Sequence, residues 1–477
     1  LTLTFGVRGD RFKIDEIPEH NALAQQVYGY DNSDVGGDEW LWQPRFGFNY
    51  TFDTERPTQL RGGLGLFQGD SPQVWLSNAY NTTGLNYTQV EEFAQPGVTP
   101  STPRQNVNFI SPDFEAPSVW KANLAFDHEL PWYGMVGSAE LLLTSVKTGL
   151  FYKRLDLGAP NDAADTGPAA GQDGRNLYWG NSNTFSSARG NRDPRFGDVL
   201  LLDTTEKGES QQFTVSLSRP WMEASDWSWS LAYTYTNATE VSGLTSSTAT
   251  SGWNYNYVFQ ANEEVASTAR YEIKDRISGQ LNWKHKFFGD NTTSVGLFYE
   301  GRSGRPFSYV FTNDMNGDSR TNDLFYVPNG PGDVIFSGGA AMEAQFFDWL
   351  AQNPELARYA GQVTPANAGR ADWVNTFDIR ISQELPGFFE GHKSEIWLDI
   401  INVGNLINKD WGHIYDYGFF ADQTVLRVNG IDPATGKSIY NFSPSAVEAP
   451  AVANADADGF NQGVSQWSLQ VGFRYKF

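Results

Sequence analysis

The densest set of potential ligands runs from Asp314 through Asn316, Gly317 and Asp318 to Asn322 and Asp323. Carboxylate and amide oxygens recur there at alternate positions, and Gly317 permits a tight bend. That pattern suits a hard cation, since Ca2+ takes about six to eight oxygens from loops of this kind. The alternation follows the opening of an EF-hand-type loop, but the later Glu is missing and Asp323 is the candidate stand-in. Asp314, Asn316, Asp318 and Asp323 are accordingly candidate calcium ligands. The competing reading is a solvated Asn/Asp turn. Asp456 to Asp458, before Gly459, form a second acidic stretch open to the same two readings.

Three other groups carry chemistry. Lys274, Arg276, Lys284, Glu300, Arg302, Asp378, Arg380 and Asp399 alternate with apolar residues, so they share the polar face of whatever sheet contains them. Trp75, Asn78, Tyr80 and Asn81, in a long segment over 70–117, combine rings and amides as a sugar or peptide site would. Self-packing of a long ordered loop is the competing and favoured reading. The 5 His residues (His20, His128, His285, His392, His413) have no metal-type spacing. Nothing resembles a nucleophile elbow. The reading is therefore not an enzyme.

The elements that must position these residues are strands. Leu1, Leu3, Phe5 and Val7 alternate with Thr2, Thr4, Gly6 and Arg8. Phe46, Phe48, Tyr50 and Phe52 alternate with Gly47, Asn49 and Thr51. The same period of two recurs at Trp227–Thr236, Lys274–Lys284, Val295–Tyr299, Phe377–Ser382 and Ile396–Ile400. Further runs cover 59–69, 118–130, 137–153 and 196–218. The total is about twelve strands, near or above the ~9–11 residues a tilted membrane strand needs. Ala341, Ala344, Phe346, Phe347 and Leu350 give one helical stripe that Pro354 breaks.

Composition agrees. Aromatic residues make up 15%, Gly numbers 47, and a net charge of −22 argues against nucleic acid as a partner. With Cys at 0, a disulfide framework and a thiolate zinc site are excluded. No apolar run reaches the ~18 residues of a transmembrane helix, and mean hydropathy is −0.46. A membrane barrel hides its apolar residues by alternation, so such a value is compatible with it. Leu1 already sits in a strand pattern, so an export signal is expected upstream or removed.

The connections alternate in length. Short ones fall near 54–58, 131–136, 219–226, 288–291 and 386–392. Long ones fall at 13–39, 70–117, 154–195, 242–268, 312–371 and 405–464. Outer-membrane barrels have short periplasmic turns and long extracellular loops. The expected fold is thus all-β: a transmembrane antiparallel β-barrel in a lipid bilayer, the outer membrane of a Gram-negative cell. Its C-terminus would be periplasmic, and residues 1–477 would form one portion of barrel with extracellular loops. A soluble β-sandwich alternates too, but needs neither the loop rhythm nor aromatics at its strand ends. In the barrel, Lys274, Arg276, Glu300 and Arg380 with their neighbours are lumen-facing.

Trp467, Leu469, Val471, Phe473, Tyr475 and Phe477 close the chain on one apolar face. Phe473, Tyr475 and Phe477 resemble the signal read by the barrel assembly machinery. The segments LTLTFGVRGDRF (1–12), WQPRFGFNYTFD (42–53), LRGGLGLFQGDSPQVWLSNAYNTTG (60–84), YAGQVTPANAGRADWVNTFDIRISQELP (359–386) and IWLDIINVGNLIN (396–408) resemble TonB-dependent outer-membrane receptors, in particular their Oar-like branch. The resemblance covers nearly the whole chain. It implies the C-terminal part of a barrel of about 22 strands with a plugged lumen. The plug, the TonB-engaging motif and the first strands have no counterpart here. Implied partners are those N-terminal strands and plug, TonB, the assembly machinery, and surface lipoproteins or other subunits. Three functions are consistent: energised uptake of a scarce substrate, a structural or adhesive surface role for the long acidic loops, and a porin-like channel.

Overall fold

The computed structural model describes residues 1–37, 39–85, 104–162, 167–190, 192–222, 225–453 and 464–477. Its dominant feature is one antiparallel sheet with twelve strands in series. They are β1 (Thr2–Arg11), β2 (Trp40–Thr51), β3 (Thr58–Gln68), β4 (Ser118–Glu129), β5 (Val136–Arg154) and β6 (Gly208–Arg219). The series continues with β7 (Trp227–Glu240), β8 (Asp275–Phe288), β9 (Asn291–Arg302), β10 (Val374–Pro386), β11 (Lys393–Ile401) and β12 (Ser468–Lys476). Each pairs with the strand before and after it in sequence, so the topology is a plain meander. The short and long connections alternate as the sequence suggests.

The registers keep the two faces separate over the whole sheet. Trp229, Leu281, Leu297, Ile379, Ile400 and Leu469 stand in one lateral row from β7 to β12. One row away on the other face stand Asn282, Gly296, Arg380, Asp399 and Gln470. Large side chains on the apolar face are exposed: Phe5, Phe46, Leu124, Leu231, Ile381 and Phe473 among them. A soluble sandwich would bury that face against a second sheet. Here it is presented outward, as lipid requires. Aromatics crowd the short-turn end, where Trp132, Tyr133, Phe287, Phe288, Phe388 and Phe389 are all more than half exposed. That is the position of an interfacial girdle.

The long connections fold into a cap of their own. Val35, Leu76, Ile110, Phe114, Leu200 and Trp253, from the first four long connections and the adjoining strand ends, share one apolar core. Phe307, Phe311, Phe325, Phe346, Tyr440 and Phe442, from the last two, share another. Parallel pairings stitch the connections together: Gln105–Ile110 with Phe196–Thr205, Pro306–Val310 with Asp422–Thr424, and Ile335–Phe336 with Ser438–Asn441.

Two sequence expectations need correction. The run at 196–218 is broken at 206–207: its two halves pair in succession and antiparallel with β5, and Gly208, with a φ of +127°, takes a conformation that favours glycine. Phe196–Thr205 stays in the cap, paired with the top of β5, and only β6 enters the wall. The helical stripe is real over Gly339–Ala351, but Phe346 and Leu350 are its buried members while Ala341 and Ala344 are exposed. Pro354 opens a further one-turn helix, Pro354–Ala357, rather than simply ending the first.

The wall has two free margins. Among the described residues β1 pairs only with β2, and β12 only with β11.

Candidate functional site

The inner face of the wall carries the residues singled out by alternation. Arg276 faces Arg302 across β8 and β9, and Glu300 lies between them, 2.7 Å from Arg276 and 3.3 Å from Arg302. Arg380 and Asp399 are opposite each other on β10 and β11 and 3.6 Å apart. Lys393 reaches Glu384, and Arg474 reaches Glu395, at 3.6 and 3.9 Å. Lys274 lies just before β8, in step with Arg276, and is exposed. Asp378 is committed differently: its Oδ1 accepts the backbone N–H of Asn402 at 2.7 Å. The wall is thus a set of compensated, water-accessible charges.

Trp397 was not anticipated. It points inward between Arg380 and Arg474, whose guanidinium groups lie 4.9 and 5.5 Å from its ring. Gly472 faces it across β11 and β12. A Cβ on Gly472 would sit 2.1 Å from the indole, so only glycine leaves room for the ring to lie flat. The sequence signal was available: a Trp on the polar side of β11 opposite a Gly on the polar side of β12.

The Asp314–Asp323 loop is closed by its own hydrogen bonds. Asp314 accepts the backbone N–H groups of Gly317 and Ser319 at 2.6 and 2.7 Å. Asp318 accepts Arg320 N–H and Asn316 Nδ2. Asp323 accepts Met315 N–H at 2.7 Å and faces Arg175 Nη1 at 2.6 Å. Among the described residues no group of three or more acidic or imidazole side chains is arranged to hold a metal. The candidate calcium ligands Asp314, Asn316, Asp318 and Asp323 lie together in this one loop, with oxygens engaged by backbone amides, by the Asn316 amide and by a guanidinium. The second acidic stretch, Asp456 to Asp458, lies outside the described residues.

The loop also docks against a distant connection. Asn316 and Gly317 carbonyls accept Tyr178 and Arg189 backbone N–H groups at 2.6 and 2.8 Å. Trp179 Nε1 donates to the Met315 carbonyl at 3.1 Å. Gly317 packs against Trp179 so closely that a Cβ would come within 2.7 Å of its backbone nitrogen. Around this contact lies a buried ion-pair network. Arg154 bonds Asp156 at 3.1 Å and also pairs with Asp198. Arg189 bonds Asp156 at 2.5 Å, and Arg320 bonds Asp198 at 2.9 Å. Arg175, fully buried, is held by Asp173 and Asp323. Burial, together with the charges of Asp318 and Asp323, pushes the Asp314 carboxyl well above its usual range. Burial first and Asp323 second push Asp318 up to about 7.

In the described part of the 70–117 segment the rings and amides are spent on packing. The helix Gln73–Asn81 buries Leu76 and Ala79. Trp75 Nε1 donates to the Ser246 carbonyl and Asn78 Nδ2 to that of Ser247, both at 2.8 Å. Tyr80 Oη donates to the Glu16 carbonyl at 2.5 Å. In the terminal strand Phe473 lies beside Ile396, and Tyr475 Oη is 2.8 Å from His392 Nδ1. Phe477 is 97% exposed.

An antiparallel wall with an apolar outside, a charged inside and long loops at one end defines a membrane-barrel protein. Residues 7–410 match the family described as outer membrane beta barrel domain. The chain belongs to that family, which places it in the outer membrane, embedded in the lipid bilayer, and in no enzyme family. No curated protein matches the sequence. Among solved structures it is similar to the outer membrane transporter YddB from Escherichia coli, at 10% identity and a TM-score of 0.43, over 86% of this chain and 40% of that one. A mutant of the ferric enterobactin receptor PfeA from Pseudomonas aeruginosa matches at 10% identity and 0.39, over 94% of this chain and 41% of that one. The chain therefore spans about two fifths of the length of these structures.

Proposed function

We propose that this chain is the C-terminal wall and outer cap of a TonB-dependent transporter of the Oar-like type, which takes up a scarce substrate through a plugged barrel. The observation that carries the reading is the wall with two free margins. Each unpaired N–H or C=O in lipid costs on the order of several kcal/mol. Further strands of the same protein would pair β1 and β12 and close the barrel. The segments that resemble this receptor branch include β1, much of β2 and β3, and the core of β10 and β11, so the resemblance sits in the wall itself. In this reading the long loops are extracellular and the C-terminus periplasmic. TonB would act through an N-terminal region, and Phe473, Tyr475 and Phe477 would be read by the assembly machinery. Surface lipoproteins or other subunits would meet the cap.

The experiment compares substrate-limited growth and uptake in cells with and without TonB, together with planar-bilayer conductance of the full-length protein. Uptake lost without TonB, with a closed pore in bilayers, is expected. Steady conductance would replace this reading with a porin-like channel. A second reading rests on the cap, whose loops have cores of their own and exceed what a pore needs. If deletion of the gene abolishes surface contact and leaves uptake intact, the protein is an adhesive or structural one.

A further inference from the structure

Among the described residues three arginines are buried: Arg154, Arg175 and Arg270. Arg154 is held by Asp156 and Asp198, and Arg175 by Asp173 and Asp323. Arg270, 5% exposed, has no carboxylate on its guanidinium among the described residues. Its Nη1 donates to Thr245 Oγ1 at 2.8 Å and to the Tyr255 carbonyl at 3.2 Å. Its Nε and Nη2 are buried and have no hydrogen-bond partner. The carboxylates nearby are engaged elsewhere. Glu240 Oε1 accepts the Arg270 backbone N–H at 2.8 Å, and Asp422 is hydrogen-bonded to the Tyr257 hydroxyl. Arg305, itself paired with Asp416, adds positive potential at Arg270. A cavity of about 20 Å³ lies against this side chain, at the seam between β7 and the cap. Its lining includes Glu240 and Ser242 at the end of β7, Tyr255 and Tyr257 from the connection that follows, and Asn367 from the 312–371 connection. Asn367 Nδ2 donates to the Thr268 carbonyl at 2.7 Å, so the two connections already meet beside it.

The geometry points to a binding site for a small monovalent anion of chloride size, which is the counter-ion of Arg270 and locks the 242–268 connection onto Asn367. The inference does not rest on the transporter reading. Arginine keeps its charge at any pH the cell meets, and a buried charge is tolerated only when it is paired. Nε and Nη2 form the edge of the guanidinium whose two N–H groups run parallel, the fork that grips an anion. Size selects the guest. A cavity needs about 10–15 Å³ to admit one water-sized particle, so 20 Å³ admits a single atom of that order and no carboxylate or phosphate group. A water there would satisfy the two N–H groups and leave the charge uncompensated.

The test uses the full-length protein in detergent micelles at fixed pH. Hydrogen exchange over 242–270 is followed as sodium chloride or sodium bromide replaces sodium gluconate, whose anion is too large for the cavity, at constant ionic strength. Protection should rise about fivefold or more and saturate, as binding to the folded cap alone requires. Constant ionic strength removes general screening from the comparison. Arg270→Gln, which keeps an amide and loses the charge, should abolish the halide dependence, with heat-modified gel mobility checking that the barrel is folded. Crystals of the unaltered protein grown in bromide should show an anomalous peak at the Nε–Nη2 edge of Arg270. That measurement needs no variant and stays decisive if Arg270→Gln does not fold. A water without anomalous signal at that edge, equal protection in halide and gluconate, or a halide effect that survives Arg270→Gln overturns the inference.

Discussion

The wall and the cap use the same side chains to opposite ends. On the wall, Arg276 and Arg380 are about half exposed at their ion pairs with Glu300 and Asp399. In the cap, Arg175 and Asp323 are 0% and 1% exposed. In water such a pair contributes roughly 0–1 kcal/mol. Buried, its Coulomb gain is offset by desolvation, but removing one partner strands a charge in an apolar medium. The wall's charges are therefore interchangeable and its loops' charges are not. The difference shows where the fold depends on ionic specificity: in the junction between the connections 155–207 and 303–373, not in the barrel.

The largest contrast between cap and wall is expected at Arg175. Arg175→Met leaves Asp173 and Asp323 buried without their cation, and the cap junction should lose ~3–5 kcal/mol. Hydrogen exchange of 155–207 and 303–373 should rise while heat-modified mobility of the barrel stays normal. Arg276→Ala, by contrast, should change exchange in the wall by less than about 1 kcal/mol. Equal effects from the two would remove the distinction.

The wall has its own intolerance, and it lies on the other face. Leu281→Lys puts a charge among lipid-facing Trp229 and Leu297 and should cost ~2–4 kcal/mol of folding stability near the bilayer centre. Ser278→Lys, on the inner face, should be near neutral. Refolding into lipid vesicles under urea titration measures both. If both positions respond alike, the assignment of faces is wrong.

A smaller effect is expected where the wall is tightest. Gly472→Val forces Trp397 off its seat, and overpacking of this kind costs about 1–3 kcal/mol. Loss of the ring's stacking between Arg380 and Arg474 should appear as a shift in tryptophan fluorescence, with assembly of the last hairpin slowed.

The smallest effect is a pH dependence confined to the cap. Asp318 ordinarily titrates at 3.8 and in the folded cap near 7. Between those values the folded state holds a proton that the unfolded loop has released. Stability from this group is therefore greatest at low pH and declines as pH rises through about 7. Protection factors in 312–325, with the intrinsic base-catalysed rate divided out, should fall from pH 5 to pH 8, and Asp318→Asn should flatten the trend at the expense of one hydrogen bond. A trend of the opposite sign, or one unchanged by Asp318→Asn, would contradict the buried-carboxyl account. Wall segments should show no matching trend.

Much of this was legible beforehand because strands in a membrane have a period of two and two unlike surroundings. Each of the twelve wall strands left that trace, and so did the loop rhythm. The inner charges Arg276, Glu300, Arg380 and Asp399 followed from parity alone. Parity failed where the chain leaves the wall. Phe196–Thr205 alternates too weakly to separate from β6, since its residues are buried on both sides in the cap. The Asp314–Asp323 pattern was visible, but its meaning was not. Alternate oxygens suit a cation and a docked turn equally, and the partners that decide, Arg175, Tyr178 and Trp179, lie more than a hundred residues away in sequence.

The sequence alone thus determined the class, the faces and the order of the wall strands, because these depend on local alternation and on turns that only neighbours can make. It also contained the pairing of Trp397 with Gly472, though only the register brings the two together. Tertiary structure decided the rest. It interleaved the long connections in parallel pairs, buried their charges and turned the acidic loop into a docking element. Those outcomes depend on which distant segments exclude water from one another, and no window of the chain carries that information.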